Sequence, residues 1–183
     1  MRDMKIASIQ TRDIAKLLEV GEIERIKPGL YRLANLPQDV PFRATLIDVC
    51  EAMPKGVICL LSALEFYDLT TFNPSEVYVA IPHASKPQQI QYPPTRTFFF
   101  RERFYLPGIV HVNSKHGTIR VYNEEKTICD MFRYRNKLGE GLALEALKTY
   151  LRRKEANLQA LQKYASICHV KTVLIPYLKA MSA

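Results

Sequence analysis

The sequence predicts an α/β fold of the α+β kind. A short N-terminal winged helix-turn-helix occupies residues 1–36, and a mixed α/β domain occupies residues 42–183. Three observations predict it. Residues 54–82 join an apolar run at helical spacing to a β-rich run. Residues 11–33 read as a helix followed by a basic hairpin. Beyond residue 95, β-rich runs give way to helices that carry their own capping residues.

The first of these is the centre of the chain. Val57, Leu60, Leu61, Leu64 and Leu69 describe one helical face, and Ile58, Cys59 and Ala63 widen it. A helix apolar over most of its circumference is buried, so residues 57–69 are predicted as a core helix. Thr70, Thr71, Asn73 and Pro74 break it. Residues 77–81, V-Y-V-A-I, form a strand ended by Pro82.

Towards the N-terminus, residues 4–9 form a short apolar segment. Thr11 is placed as the cap of a helix reaching about Val20, with Ile14, Leu17 and Leu18 inward and Arg12, Lys16 and Glu19 outward. Gly21 ends it by supplying a left-handed residue. Ile23 and Ile26 then point to the core, Pro28-Gly29 turns the chain, and residues 30–33 return. A helix that presents Arg12 and Lys16 suits the major groove, with Thr11 at its start. A wing carrying Arg25, Lys27 and Arg32 suits phosphates. Residues 1–36 hold seven basic and five acidic residues, so ordinary solvated charge is the competing reading.

Residues 35–41 are a linker, bracketed by Pro37 and Pro41. Residues 42–52 form a helix with Leu46, Val49 and Cys50 inward. Residues 83–95 are a proline-bearing surface loop. Residues 97–104, 109–113 and 118–122 are strands, the last two joined by a turn at Lys115-His116-Gly117, and together they suggest an antiparallel meander. Asn123 caps a helix over 124–134 that packs Ile128, Met131 and Phe132. A helix over 142–153 packs Leu144, Leu147 and Leu151. Asn157 caps a third over 158–165, and a fourth covers 170–181 with Pro176 inside it.

The chain has 183 residues, 48% hydrophobic content, a net charge of +8 and a pI near 9.4. That balance favours an acidic partner. The start of the chain is charged where a signal peptide needs an apolar core. The longest apolar run, residues 57–61, is far shorter than the roughly 20 residues that span a bilayer. Cys50, Cys59, Cys129 and Cys168 lack paired spacing and read as buried thiols in a reducing cytoplasm, with no metal and no cofactor implied.

No catalytic constellation is predicted. A nucleotidyltransferase needs paired carboxylates for Mg²⁺, and no D-x-D occurs; Glu76 is a single acid at a strand head. Ser62 reads as a packing residue. His83, His111, His116 and His169 are scattered without a partner acid at a telling spacing. Asp130 is expected to pair with Arg133 or Arg135. Lys126, Arg133, Arg135, Lys137, Lys148, Arg152, Arg153 and Lys154 form a basic population, read as a solvated helical surface or as a surface for a partner or nucleic acid.

Four motifs, in order, resemble the AbiEi-type antitoxins of bacterial abortive-infection toxin–antitoxin systems. They are I-E-R-I-K-P-G-L-Y-R-L at 23–33, G-V-I-C-L-L-S-A-L-E-F-Y-D-L-T at 56–70, E-V-Y-V-A-I-P at 76–82 and I-R-V-Y-N-E-E-K-T-I-C-D-M-F-R-Y-R at 119–135. The resemblance implies an antitoxin and transcriptional regulator in phage defence, with a winged helix that binds operator DNA and represses its own operon. It implies a C-terminal domain related to the nucleotidyltransferase fold, not active as an enzyme, that opposes a nucleotidyltransferase-like toxin. Only residues 1–10 precede the recognition helix, so the helix normally packed behind it is abbreviated or absent. A protein-interaction scaffold without DNA binding is therefore the alternative, and a nucleotidyltransferase-like enzyme the third reading.

Overall fold

A computed structural model describes residues 10–34, 42–114 and 117–182. The apolar segment 4–9, the linker 35–41 and the turn residues Lys115 and His116 lie outside the described residues.

Helix α1 (Thr11–Glu19) starts one residue earlier than the sequence suggested, because Gln10 and not Thr11 is its cap. Asp13 stands three residues after Gln10 and accepts its backbone N–H at 3.3 Å. A cap at Thr11 would put Ile14 in that place, with no acceptor to offer. At the other end, Gly21 takes φ +71°. Gly21 N–H donates to the Leu18 carbonyl and Glu22 N–H to that of Leu17, the paired closure that a left-handed residue permits. Strands β1 (Ile23–Lys27) and β2 (Leu30–Leu33) form the expected antiparallel hairpin around Pro28-Gly29.

The body is a mixed five-stranded sheet with helices on both faces. Its elements are α2 (Phe42–Ala52), β3 (Val57–Ile58), α3 (Leu60–Phe66), β4 (Val77–Pro82), β5 (Thr95–Phe100), α4 (Glu102–Tyr105), β6 (Ile109–Ser114), β7 (Gly117–Tyr122), α5 (Glu124–Leu138), α6 (Glu140–Leu151), α7 (Leu158–Ile167) and α8 (Lys171–Ser182). The strand order is β5-β4-β3-β7-β6. The β4–β5 and β3–β7 pairs are parallel, and β3–β4 and β6–β7 are antiparallel.

Three expectations change. Val57 and Ile58 are not the start of the core helix but the short central strand β3, and the helix begins at Leu60. Both residues are β-branched, and both faces of the sheet are covered, so burial overrides their helical spacing. Gly56 lets β3 approach its neighbour, since a Cβ there would stand 2.8 Å from Val79 Cγ1. Strand β5 ends at Phe100, and residues 102–105 are helical. There is no meander: β5 and β6 lie at opposite edges of the sheet.

Side chains alternate along β4 and divide the core in two. Tyr78 and Ala80 join Leu60, Leu61, Leu64, Ile128, Met131 and Phe132 on one face. Val77, Val79 and Ile81 join Leu46, Val49 and Cys50 from α2, and Met53 just after it, on the other. Full burial of one such aliphatic side chain contributes about 1.5–3 kcal/mol, so these two layers hold the body together. Asn123 and Asn157 cap α5 and α7 as the sequence indicates, each accepting a backbone N–H at 2.9 Å. The thiols of Cys50, Cys59, Cys129 and Cys168 are buried and free. No helix among the described residues is long and apolar enough to cross a membrane.

Candidate functional site

The hairpin does not stand off from the body. Ile26 is buried, and its carbonyl accepts the Gln91 backbone N–H at 2.9 Å. Arg32 donates through Nε and Nη2 to Glu24 Oε2 at 3.0 and 2.7 Å, and its Nη1 lies 3.5 Å from Asp48 on α2. Its guanidinium sits 4.1 Å from the centre of the Tyr92 ring. Burial raises the Asp48 carboxyl, and Arg32 draws it back down. Lys27 Nζ donates to the Ala52 carbonyl at 2.6 Å, at the C-terminal end of α2 where the helix dipole attracts a cation.

Two of the side chains that the sequence assigns to phosphates, Lys27 and Arg32, thus bind the chain's own carbonyl and carboxylate groups. They form a seam that fixes the hairpin on α2 and the 83–94 loop. Thr11, Arg12, Lys16 and Arg25 remain exposed. Among the described residues Arg12 makes a loose contact with Asp13, 3.8 Å and open to water, of little energetic weight. Arg25 lies 6.0 Å from the Tyr31 ring across the hairpin.

The basic residues of the last third also divide. Lys126 is not on the surface; its side chain is 0% exposed and closes on Asp130, one helical turn away. Asp130 therefore has Lys126 as its partner and not Arg133 or Arg135. Burial pushes its carboxyl upward against the pull of that amine. Tyr122 lies 4.3 Å and Phe100 5.2 Å from the Lys126 amine, and the Cys168 thiol donates to Asp130 Oδ1 at 3.5 Å. Arg153 is also engaged internally. It donates to Glu124 at 2.9 Å and to the carbonyls of Tyr67 and Asp68, tying the end of α6 to the end of α3. Lys137 is exposed, and Lys148 and Arg152 line a shallow cleft beside Leu151 and Met181.

Arg133 and Arg135 do something else. They meet Arg101, Arg103, His83 and His169 around a cleft of about 490 Å³ at the carboxyl ends of β4 and β5. Sequence reasoning missed Arg101, Arg103 and their meeting with His83. Its available signal was local: two arginines in R-E-R-F directly after a phenylalanine-rich strand. The meeting itself depends on the parallel pairing of β4 with β5, which no local pattern encodes.

Two further polar groups, one buried and one half-buried, complete the picture. Ser62 Oγ accepts the Tyr78 backbone N–H at 2.9 Å and so ties α3 to β4. Glu65 has one carboxylate oxygen shielded from solvent and without a hydrogen bond among the described residues. Burial, and then the nearby Asp68, raise its carboxyl to about 7. Glu76 lies at the amino end of β4, the end opposite the arginine cleft. No group of three or more potential metal ligands occurs among the described residues.

Compared with protein-family models the chain matches none, and no curated protein matches it.

Proposed function

We propose that this protein is a DNA-binding antitoxin that represses its own operon. In this reading the α/β body opposes a nucleotidyltransferase-like toxin. The observation that carries the DNA half is the division of charge in the helix–hairpin. Lys27 and Arg32 hold the hairpin against the body, and Arg12, Lys16 and Arg25 are left exposed on a fixed support. A preorganised basic helix and wing lose little ordering entropy on meeting a duplex. The order of the four motifs supports the antitoxin half. Arg12, Lys16 and Thr11 would meet base edges, and Arg25 the backbone. The exposed Lys137, Lys148 and Arg152 would form an attractive surface for an acidic partner.

The scaffold reading is favoured by one observation. With Lys27 and Arg32 engaged internally, fewer cations face phosphates than the sequence suggested. A fluorescence-anisotropy titration separates the two. The duplex lying upstream of the gene is compared with a scrambled duplex at two salt concentrations. Preference for the native duplex that persists at the higher salt upholds the operator reading. Equal, salt-sensitive binding to both leaves only the net charge of +8 as an explanation and favours the scaffold.

A further inference from the structure

The arginine cleft belongs to different elements from the helix–hairpin, and it has the chemistry of an anion site. Strands β4 and β5 run parallel and end together, where His83 N–H donates to the Phe100 carbonyl at 2.8 Å. His83 and Arg101 therefore leave the sheet side by side. Ligands of open α/β sheets characteristically sit outside the carboxyl ends of the strands. Helix α4 adds Arg103, α5 adds Arg133 and Arg135, and His169 arrives from the α7–α8 junction.

The arginines are positioned rather than merely present. The Arg133 guanidinium carbon lies 3.7 Å from the centre of the Phe104 ring and 5.4 Å from that of Phe100. Stacking fixes the plane of the fork and strips water from its face. Its Nη1 is shielded from solvent and makes no hydrogen bond among the described residues. Arg135 is braced by donation to the Phe132 carbonyl at 2.9 Å. Arg103 lies 4.5 Å from Phe104 on the same ring that His169 meets edge-on.

Among the described residues no carboxylate lines the cleft and no ion pair reaches any of the four arginines. Asp130, the acid that Arg133 feels, is already closed on Lys126. Guanidinium groups stay charged at any physiological pH, so their mutual repulsion cannot be relieved by losing protons. It can be relieved by a multivalent anion, and planar forks match phosphate oxygens two at a time. Phe99, 44% exposed on the wall, offers a ring face for stacking a base. The volume falls within the roughly 300–1,000 Å³ typical of small-molecule sites.

We propose that this cleft binds the phosphates of a nucleoside phosphate, held by Arg101, Arg103, Arg133 and Arg135. The source is either a free nucleotide or the 5′-phosphorylated end of a nucleic-acid strand. The site does not rest on the operator reading, and Arg12→Ala or Lys16→Ala leaves it untouched.

Isothermal titration of the full chain tests this with ATP, inorganic phosphate, and a short single-stranded oligonucleotide with and without its 5′-phosphate. The expected result is one site per chain, weakened about tenfold or more by the double change Arg101→Gln and Arg103→Gln. Both side chains are exposed, so the melting temperature should hold, whereas Lys163→Gln with Lys179→Gln, exposed lysines outside the cleft, should leave binding unchanged. Tighter binding of ATP than of the oligonucleotide identifies a free nucleotide as the source. Tighter binding of the 5′-phosphorylated strand, lost with its phosphate, identifies a strand end. The proposal is overturned if neither ATP nor the 5′-phosphorylated strand binds, or if the Lys163/Lys179 pair weakens binding as much as the Arg101/Arg103 pair.

Discussion

The hairpin seam and the arginine cleft use the same residue type in opposite ways. At the seam, Arg32 meets two carboxylates and a tyrosine ring, and Lys27 meets a helix-end carbonyl. In the cleft, Arg103 and Arg133 stand on a phenylalanine ring and Arg135 on a backbone carbonyl, with Arg101 beside them and no carboxylate among the described lining residues. The seam's cations are satisfied within the chain and act as structure. Three of the four in the cleft are braced, and among the described residues none of the four is closed in an ion pair. Formal charge in a sequence is therefore not the same as charge available to a partner, and only partners within reach separate the two.

The Lys126–Asp130 pair is the extreme case of a cation satisfied within the chain, and it gives the largest expected effect. Lys126→Ala leaves a carboxylate buried without its partner, and should destabilise the protein by about 3–5 kcal/mol. Replacing both residues with apolar ones of similar volume should recover most of that loss. Chemical denaturation of the single and double variants checks it. A single variant within about 0.5 kcal/mol of the parent would place the pair in water instead.

Arg32→Ala comes next. It leaves Glu24 and Asp48 facing each other and removes the cation from Tyr92. Because Glu24 is half exposed, the expected loss is smaller, about 2 kcal/mol, with the hairpin loosened first. Hydrogen exchange at the β1–β2 amides reads it directly. Faster exchange confined to the hairpin sharpens the comparison, and unchanged exchange breaks it.

A smaller effect belongs to Glu65. Its carboxyl is raised to about 7 in the folded chain from an ordinary value of 4.5, so the folded state holds more protons across that interval. Stability attributable to this group is then full below pH 4.5 and declines as pH rises through 7. Glu65→Gln should flatten that decline, as seen in denaturation midpoints at pH 5 and pH 8. An identical decline in parent and variant would assign it to other groups.

Much of the fold was legible because its signals are local. Asn123 and Asn157 announce two helices, Gly21 closes a third, and Pro28-Gly29 turns the hairpin. The strand Val57–Ile58 was not legible, because its two residues also fit the helical face that follows, and only burial on both sides of the sheet decides between them. The Lys126–Asp130 pair was readable in principle from its four-residue spacing on a helix. The seam was not, since Arg32 meets Asp48 and Tyr92, and Lys27 meets Ala52, across long stretches of chain. The same holds for the cleft, where His83 and Arg101 meet only after β4 and β5 have paired.

The most direct test of the division of charge in the helix–hairpin compares Arg25→Ala with Lys27→Ala on the upstream duplex. Binding is followed over a salt series, beside thermal unfolding of each variant. Arg25 is exposed and should act as a phosphate contact, so its loss should flatten the salt slope by about one unit with stability unchanged. Lys27 is engaged with Ala52, so its loss should leave the slope alone and lower stability by about 1.5 kcal/mol. The reverse pattern, a flattened slope for Lys27→Ala and a stability loss for Arg25→Ala, would contradict the account.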